Sequence, residues 1–229
     1  HSITLQEDSF IKAWRKGMIN VNNGGSFMKQ NWKEIWNGRT AGPLVDGVEL
    51  ETLIELDGFD VGAGRIQIAD WRAYASIIAE KLGLGQSTTV FEVGCGAGAF
   101  LYALMEEYSP VVGGIDYATG LIATAKMAMP DRDFVVGEAA TLETTSKYDY
   151  VIANSVFQYF NQNYVSKVID RMIRKAANAV VILDVPDLDL KRESEVMRHG
   201  MLSADEYENR YDGLDHTYYE REFFRQESI

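Results

Sequence analysis

The sequence predicts a doubly wound α/β fold: a mostly parallel sheet flanked by helices and preceded by an N-terminal helical cap. From residue 67 onward, short apolar segments alternate with segments of helical period. The apolar segments are continuous rather than alternating with polar residues, which is typical of parallel strands covered on both faces. Glycines or acidic residues follow several of these strands, where ligands bind in such sheets.

Two regions of different character are apparent in the 229 residues. Residues 1–66 are rich in Gly and Asn and contain three of the four tryptophans, so they are predicted to form a cap or lid with helices at 7–19 and 28–37. Residues 67–229 are predicted to form the main domain. This length is ordinary for one domain with a cap.

The elements of the main domain follow from their patterns. A helical stripe over 67–82 ends at Gly83, and Thr119 is expected to cap the helix that follows it. Pro186 is expected to end the last strand. Strands are predicted at 88–93, 111–116, 133–136, 148–154 and 179–185, and further helices at 98–107, 121–129, 161–177 and 220–228.

Charge and composition exclude several classes of function. The net charge of −12, from 22 basic and 34 acidic residues, disfavours nucleic acid and anionic membranes as partners. A single cysteine, Cys95, the absence of a recognisable signal peptide and the absence of an apolar run of about 20 residues favour the cytoplasm. No spacing of His, Asp, Glu or Cys predicts a metal site.

The stretch FEVGCGAGAF at 91–100 carries the first chemical signal. Its glycines fit the G-x-G-x-x-A pattern of a nucleotide-binding loop, and Asp116 closes the next strand, where an acid accepts ribose hydroxyls. Both features suit NAD and S-adenosylmethionine equally. Glu92, two residues before the first glycine, is unfavourable beside a pyrophosphate but suits a cofactor that carries an ammonium and a sulfonium group.

Four segments together resemble a class I S-adenosylmethionine-dependent methyltransferase, a family with a Rossmann-like fold. They are FEVGCGAGAF, GIDYATGLIATAK, VVGEAATL and YDYVIANSVFQYF, in that order, and the resemblance covers about residues 67–184. It implies that residues 67–229 form the methyltransferase domain. Relatives usually end the sheet with an antiparallel hairpin, which is not seen here, so either five strands or a sheet without its hairpin is expected.

The resemblance implies a cofactor site at the carboxyl ends of the strands. Asp116 would hold the ribose, and Glu138, where the family usually has Asp, would meet the adenine amino group. The residues after the fourth strand, with Phe157 and Gln158, would line the space near the sulfonium. The expected cofactor-binding residues are Glu92, Gly94, Cys95, Gly96, Ala97, Asp116, Tyr117, Glu138, Ala139, Asn154 and Ser155.

Methyl transfer from a sulfonium is an in-line displacement, which needs a general base only if the nucleophile arrives protonated. Many relatives carry His where this chain has Gln158 and Tyr159. His216, within GLDHTYYEREFF, is therefore the candidate catalytic base. The alternative is a surface histidine near a helix start.

The segment QNWKEIWNGR is expected to close over the cofactor as in relatives. Trp32 or Trp36 would then face the sulfonium through a cation–π contact, with Arg39 near a carboxylate. The alternative is that the two tryptophans only pin this helix to the core.

The predicted function is a methyltransferase that acts on a small or carrier-delivered molecule, with O- or N-methylation expected ahead of C-methylation. Two alternatives remain: an NAD-dependent oxidoreductase on a related sheet, and a non-catalytic domain of the same fold that binds a partner. The substrate, the accepting atom and the oligomeric state are left open by the sequence.

Overall fold

A computed structural model describes residues 31–40, 47–59, 66–201, 214 and 216–226. The helix predicted at 7–19 lies outside these residues, as do positions 28–30 of the next predicted helix. The helices are α1 Trp32–Asn37, α2 Leu50–Ile54, α3 Ile68–Leu82, α4 Ala99–Tyr108, α5 Thr119–Ala128, α6 Gln162–Lys175, α7 Lys191–Met201 and α8 Phe223–Gln226. The strands are β1 Thr89–Val93, β2 Val111–Asp116, β3 Asp133–Val136, β4 Tyr148–Asn154 and β5 Ala176–Leu183.

The five strands form one parallel sheet in the order β3-β2-β1-β4-β5. The chain runs outward from β1 to β3 on one side and from β4 to β5 on the other. The order therefore reverses between β1 and β4, and a ligand cleft is expected beyond the carboxyl ends of these two strands. The predicted doubly wound α/β fold is confirmed.

The sheet separates two apolar clusters. One includes Trp71, Tyr74 and Leu101, from helices α3 and α4. The other includes Phe157 and Met172, on the side of helix α6. Burial of each such side chain stabilises the fold by about 1.5–3 kcal/mol, so the two layers hold the strand ends in fixed positions.

The N-terminal segment packs on the first of these clusters. Leu53 of α2 has 0 % of its surface exposed and belongs to the same cluster as Trp71. After α2, residues Glu55–Phe59 form one π-helical turn, in which Gly58 has φ +87°. The Arg39 guanidinium fixes this turn by donating to the carbonyls of Glu55 and Leu56, at 3.0 and 2.9 Å.

Three local predictions differ from the structure. Thr119 does not cap α5: the helix begins at Thr119, and its N-cap, Ala118, makes no capping side-chain hydrogen bond. Strand β5 begins at Ala176, because α6 runs directly into it where the backbone becomes extended. The strand also ends at Leu183, before Pro186. The last helix begins at Phe223 rather than at residue 220, and the structure describes it as far as Gln226.

The remaining predicted elements agree with the structure. Helix α3 ends at Gly83, which adopts the left-handed conformation, and β2, β3 and β4 have the predicted bounds. None of the helices in the described part of the chain is long and apolar enough to span a membrane.

Candidate functional site

A cavity of about 340 Å³ lies at the carboxyl ends of β1, β2 and β4. Helix α1 and the π-helical turn cover it on one side, and His216 lies at its wall. All the predicted cofactor-binding residues except Ala97 line this cavity, namely Glu92, Gly94, Cys95, Gly96, Asp116, Tyr117, Glu138, Ala139, Asn154 and Ser155. The structure thus brings together residues that are far apart in the sequence.

The loop between β1 and α4 requires glycine at two positions. Gly94 and Gly96 have φ values of +75° and +53°, which side-chain-bearing residues rarely adopt. A Cβ atom on Gly94 would lie 2.1 Å from Cγ2 of Val156, and one on Gly96 would lie 2.2 Å from Oδ1 of Asp57. The glycines therefore allow a close approach of neighbouring side chains to the loop backbone.

Asp57 occupies the amino terminus of α4. Its Oδ1 accepts the Ala97 backbone N–H at 2.5 Å, and its Oδ2 accepts the Ala99 N–H at 2.9 Å. Ala97 thus contributes its backbone to this contact and does not line the cavity. Sequence reasoning missed Asp57, because its segment DGFDVGAG has the composition of a turn and the contact spans 40 residues.

Three carboxyl groups, those of Asp57, Glu92 and Asp116, surround this loop. Glu92 is 3 % exposed, and its Oε2 has no hydrogen-bond partner in the described part of the protein. Burial, followed by the charges of Asp57 and Asp116, holds the pKa of Glu92 well above its usual range. The result is a pocket lined by three acidic side chains, in which the buried acceptor Glu92 Oε2 lacks a donor among the described residues.

The same causes act on the other two acids. Burial raises the pKa of Asp57 to about 7; the backbone N–H groups of Ala97 and Ala99 oppose this shift and the charge of Asp116 adds to it. Burial also raises the pKa of Asp116. The Asp116 carboxylate accepts from the N–H groups of Gly96 and Ala118, at 3.1 and 2.8 Å, so it spans the glycine loop and the start of α5.

Glu138 lies beyond β3 and forms an ion pair with Lys33 of α1, with Nζ and Oε1 2.5 Å apart. The Lys33 ammonium also lies 5.5 Å from the centre of the Tyr117 ring, and the Tyr164 hydroxyl donates to Glu138 Oε2 at 3.4 Å. The two side chains of the ion pair are 62 % and 47 % exposed, so it contributes little to stability. Lys33 and Tyr164 were not predicted as site residues, because neither stands in a recognisable motif.

The residues after β4 have strained but well-supported positions. Ser155 and Asp184, at the ends of β4 and β5, have φ values of +55° and +51°, and the Ser155 hydroxyl donates to the Asp184 carboxylate. Asn154 Oδ1 accepts from the Tyr74 hydroxyl at 2.8 Å. Such conformations persist where surrounding contacts determine them, often at ligand sites.

The segment Phe157–Tyr159 divides between core and cavity. Phe157 is buried in the core, whereas Gln158 and Tyr159 line the cavity. Gln158 is 9 % exposed and donates through Nε2 to the Ser155 carbonyl at 2.6 Å, while its Oε1 is buried without a hydrogen-bond partner among the described residues. This oxygen is available to a donor on a ligand.

An aromatic cluster closes the same end of the cavity. Trp32 lies parallel to the His216 ring, with centroids 4.8 Å apart, and meets Tyr159 edge-on at 5.0 Å. Trp36 packs edge-on against Tyr159 at 5.7 Å, under the Arg39 guanidinium. The contacts show that α1 lies over the cavity and that the two tryptophans also fix it there. The role of His216 as a base stays a prediction.

Residues 90–178 match the model of a family described as "Methyltransferase domain". The nonribosomal peptide synthetase dtxS1 of Metarhizium robertsii is 29 % identical over 124 residues, which are 50 % of this chain and 2 % of that protein. Trans-aconitate 2-methyltransferase of Rhizobium rhizogenes is 29 % identical over 108 residues, 46 % of this chain and 41 % of that enzyme. The chain thus spans less than half the length of these curated relatives.

Solved structures share the fold. Magnesium protoporphyrin IX methyltransferase from Synechocystis PCC 6803, solved with bound SAH, superposes with a TM-score of 0.51 at 17 % identity, covering 72 % of this chain and 77 % of that one. At such identity the likeness concerns the fold alone. Residues 90–178 therefore match a methyltransferase domain family, and the chain shares the α/β fold of the magnesium protoporphyrin IX methyltransferase.

Proposed function

We propose that this chain is an S-adenosylmethionine-dependent methyltransferase that acts on a small molecule. The observation that carries the proposal is the convergence of Asp57, Glu92 and Asp116 on the glycine loop, with Glu92 Oε2 buried and lacking a hydrogen bond within the described structure. Such a pocket favours a positively charged ligand. S-adenosylmethionine carries both an ammonium and a sulfonium group, so the residues present fit this cofactor.

The same geometry disfavours a dinucleotide. The pyrophosphate of NAD binds at the amino terminus of the helix that follows the glycine loop. Here Asp57 already accepts the N–H groups of Ala97 and Ala99 at that place. The pyrophosphate would be repelled by the carboxyl groups of Asp57, Glu92 and Asp116. This repulsion favours a methyltransferase over the alternative of an NAD-dependent oxidoreductase.

The proposed roles of the residues follow their positions. Glu92 and the loop of Gly94, Cys95 and Gly96 would hold the methionine end of the cofactor. Asp116 would accept the ribose hydroxyls. Tyr117, Glu138 and Ala139 would contact the adenine, and Asn154 and Ser155 would lie near the sulfonium.

The bound cofactor supplies an activated methyl group on a good leaving group. The chain's own contribution is positioning, since alignment of reacting groups can supply about 7–11 kcal/mol of the barrier. Trp32, Trp36 and Tyr159 would exclude water above the reacting atoms. His216 would accept the proton of an oxygen nucleophile, and Gln158 Oε1 would accept a hydrogen bond from the substrate.

The acceptor is proposed to be a small or carrier-delivered molecule, methylated at oxygen or nitrogen. The acidic charge of the chain supports this over a nucleic acid. The names of two relatives, a trans-aconitate 2-methyltransferase and a nonribosomal peptide synthetase, support a small acceptor such as a carboxylic acid or a peptide. The cytoplasm is the proposed compartment, because the single cysteine is unpaired and buried.

A labelled-methyl transfer assay tests the proposal. The purified chain is incubated with methyl-labelled S-adenosylmethionine and a panel of carboxylic acids including trans-aconitate, amines, phenols and aminoacyl thioesters. We expect labelled product with one acceptor class, and little with the Asp116→Asn variant. Absence of product throughout the panel, with hydride transfer to or from NAD instead, would overturn the proposal.

A further inference from the structure

We propose that Asp57 binds the ammonium group of the cofactor's amino-acid end together with Glu92, which makes the segment 47–59 part of the cofactor site. The inference rests on the proposed function and extends it. Asp57 lies outside the segment matched by the methyltransferase family, residues 90–178. Recognition of the cofactor would then depend on both parts of the chain.

Asp57 is held in place by contacts within the protein. The π-helical turn that carries it is fixed by Arg39 through the carbonyls of Glu55 and Leu56. A Cβ atom on the next residue, Gly58, would lie 2.8 Å from the ring of Trp36, so the turn packs closely against α1. On the other side, the two hydrogen bonds from Ala97 and Ala99 fix both carboxylate oxygens. A preorganised carboxylate of this kind loses little freedom when it binds a ligand.

Glu92 supplies the second, independent observation. It comes from β1, is 3 % exposed and lines the same cavity, and no described residue hydrogen-bonds to its Oε2. A buried acceptor left in this way costs free energy until a donor reaches it. An ammonium group presents three donors, which is enough for Glu92 and Asp57 at once.

Charge indicates whether the ammonium or the carboxylate of the cofactor's amino-acid end lies beside Asp57. If the cofactor's carboxylate displaced Asp57 from the start of α4, another negative charge would join Glu92 and Asp116. An ammonium instead relieves the repulsion that, with burial, raises the pKa of Asp57 to about 7. Arg39, which lines the cavity and lowers the pKa of Asp57, is then a cation that can face the cofactor's carboxylate.

Binding of ligand pairs to charge-neutral variants tests the inference. S-adenosylhomocysteine contains the amino-acid end, whereas 5′-methylthioadenosine has the same nucleoside without it. Asp57→Asn keeps the shape of the side chain, and Asp57→Ser keeps a shorter, uncharged oxygen acceptor. The control is Asp70→Asn, which removes an exposed acid from the first turn of α3.

We expect both Asp57 variants to bind S-adenosylhomocysteine about tenfold or more weakly, as for loss of a charge-assisted hydrogen bond, and to bind 5′-methylthioadenosine unchanged. Asp70→Asn should change neither affinity. Equal weakening of both ligands would show that Asp57 only supports the loop, and tighter binding of S-adenosylhomocysteine would show that it blocks the site; either result overturns the inference. A wild-type chain that binds neither ligand would instead contradict the proposed function.

Analogues provide a test on the wild-type chain. The decarboxylated analogue, S-adenosyl-3-thiopropylamine, keeps the ammonium group but lacks the carboxylate. We expect it to bind more tightly than 5′-methylthioadenosine, and this advantage to shrink in Asp57→Ser. No advantage in the wild-type chain would overturn the inference without any variant.

Discussion

The indole of Trp32 lies parallel to the imidazole of His216, with ring centroids 4.8 Å apart and an interplanar angle of 10°. This contact joins helix α1, before the sheet, to the segment that follows β5. Both rings line the cavity that also contains the glycine loop. His216 is therefore placed at the site by tertiary packing, and two variants can separate a chemical role from a packing role.

Replacement of His216 by Ala should slow methylation of an oxygen acceptor about 100-fold, as expected for loss of a general base, and leave the affinity for S-adenosylhomocysteine nearly unchanged. His216→Phe keeps an aromatic ring against Trp32 but cannot accept a proton, so it should be equally slow. Steady-state rates and ligand titrations measure the two effects. Full activity of His216→Phe would remove His216 from the chemistry and leave it a packing role.

Replacement of Gly96 by Ala should abolish tight cofactor binding. The new Cβ atom would lie 2.2 Å from Oδ1 of Asp57 at a φ of +53°, so the loop or the carboxylate must move, and the backbone strain should lower the free energy of unfolding by about 1–3 kcal/mol. Gly85→Ala is the matched control, because a Cβ atom there meets nothing within 4 Å. Chemical unfolding and titration with S-adenosylhomocysteine check both outcomes. An unchanged affinity in Gly96→Ala would show that the loop does not contact the cofactor.

Replacement of Asp116 by Ala should weaken the binding of S-adenosylhomocysteine about tenfold or more, because the proposed ribose contact involves a charge-assisted hydrogen bond. The exposed acid Asp131, in the turn before β3, provides the control variant Asp131→Ala. The comparison uses calorimetric affinities at one pH and ionic strength. Equal affinities in the two variants would refute the ribose assignment.

The stability of the ligand-free protein should fall as the pH rises from about 5 to 8. Burial raises the folded-state pKa of Asp57 from 3.8 to about 7. It also raises the pKa values of Glu92 and Asp116 above their usual values. Between the unfolded and folded pKa values the folded state binds more protons than the unfolded state, so raising the pH favours unfolding. Arg39 opposes the shift, whereas Glu138 raises the pKa of Asp116.

Urea unfolding over this pH range measures the effect. Asp57→Asn should give a shallower fall than the wild-type chain, because one of the shifted acids is gone. Saturating S-adenosylhomocysteine should also make the fall in stability with pH shallower, since its ammonium group favours the ionised form of the acids. A stability that rises over the same range would contradict the account of the acid cluster.

Much of the fold follows from local sequence patterns. The apolar runs over β2, β3 and β4 have no competing interpretation, and their bounds agree with the structure. The start of β5 was missed because Ala176 and Ala177 continue the pattern of α6, and only the pairing of Tyr148 with Ala176 makes this segment a strand. The cap expected at Thr119 failed because the helix already begins at Thr119, which leaves Ala118 at the N-cap position.

The site was most predictable where its residues belong to strand ends. Glu92, Asp116 and Asn154 follow from that rule, since parallel strands bring their carboxyl ends to one edge. Asp57 and Lys33 lie in the N-terminal segment and reach the site through contacts over 40 and 105 residues. No local pattern encodes such contacts, because they depend on how the cap packs on the finished sheet.

Calorimetric titration of the chain with S-adenosylmethionine, S-adenosylhomocysteine and NAD, side by side, tests the central claim most directly. The account predicts micromolar binding of the first two ligands and no binding of NAD, because the glycine loop faces three acidic side chains and its helix terminus is occupied by Asp57. Binding of NAD without either sulfur-containing ligand would contradict the account and reassign Glu92, Asp116 and Glu138.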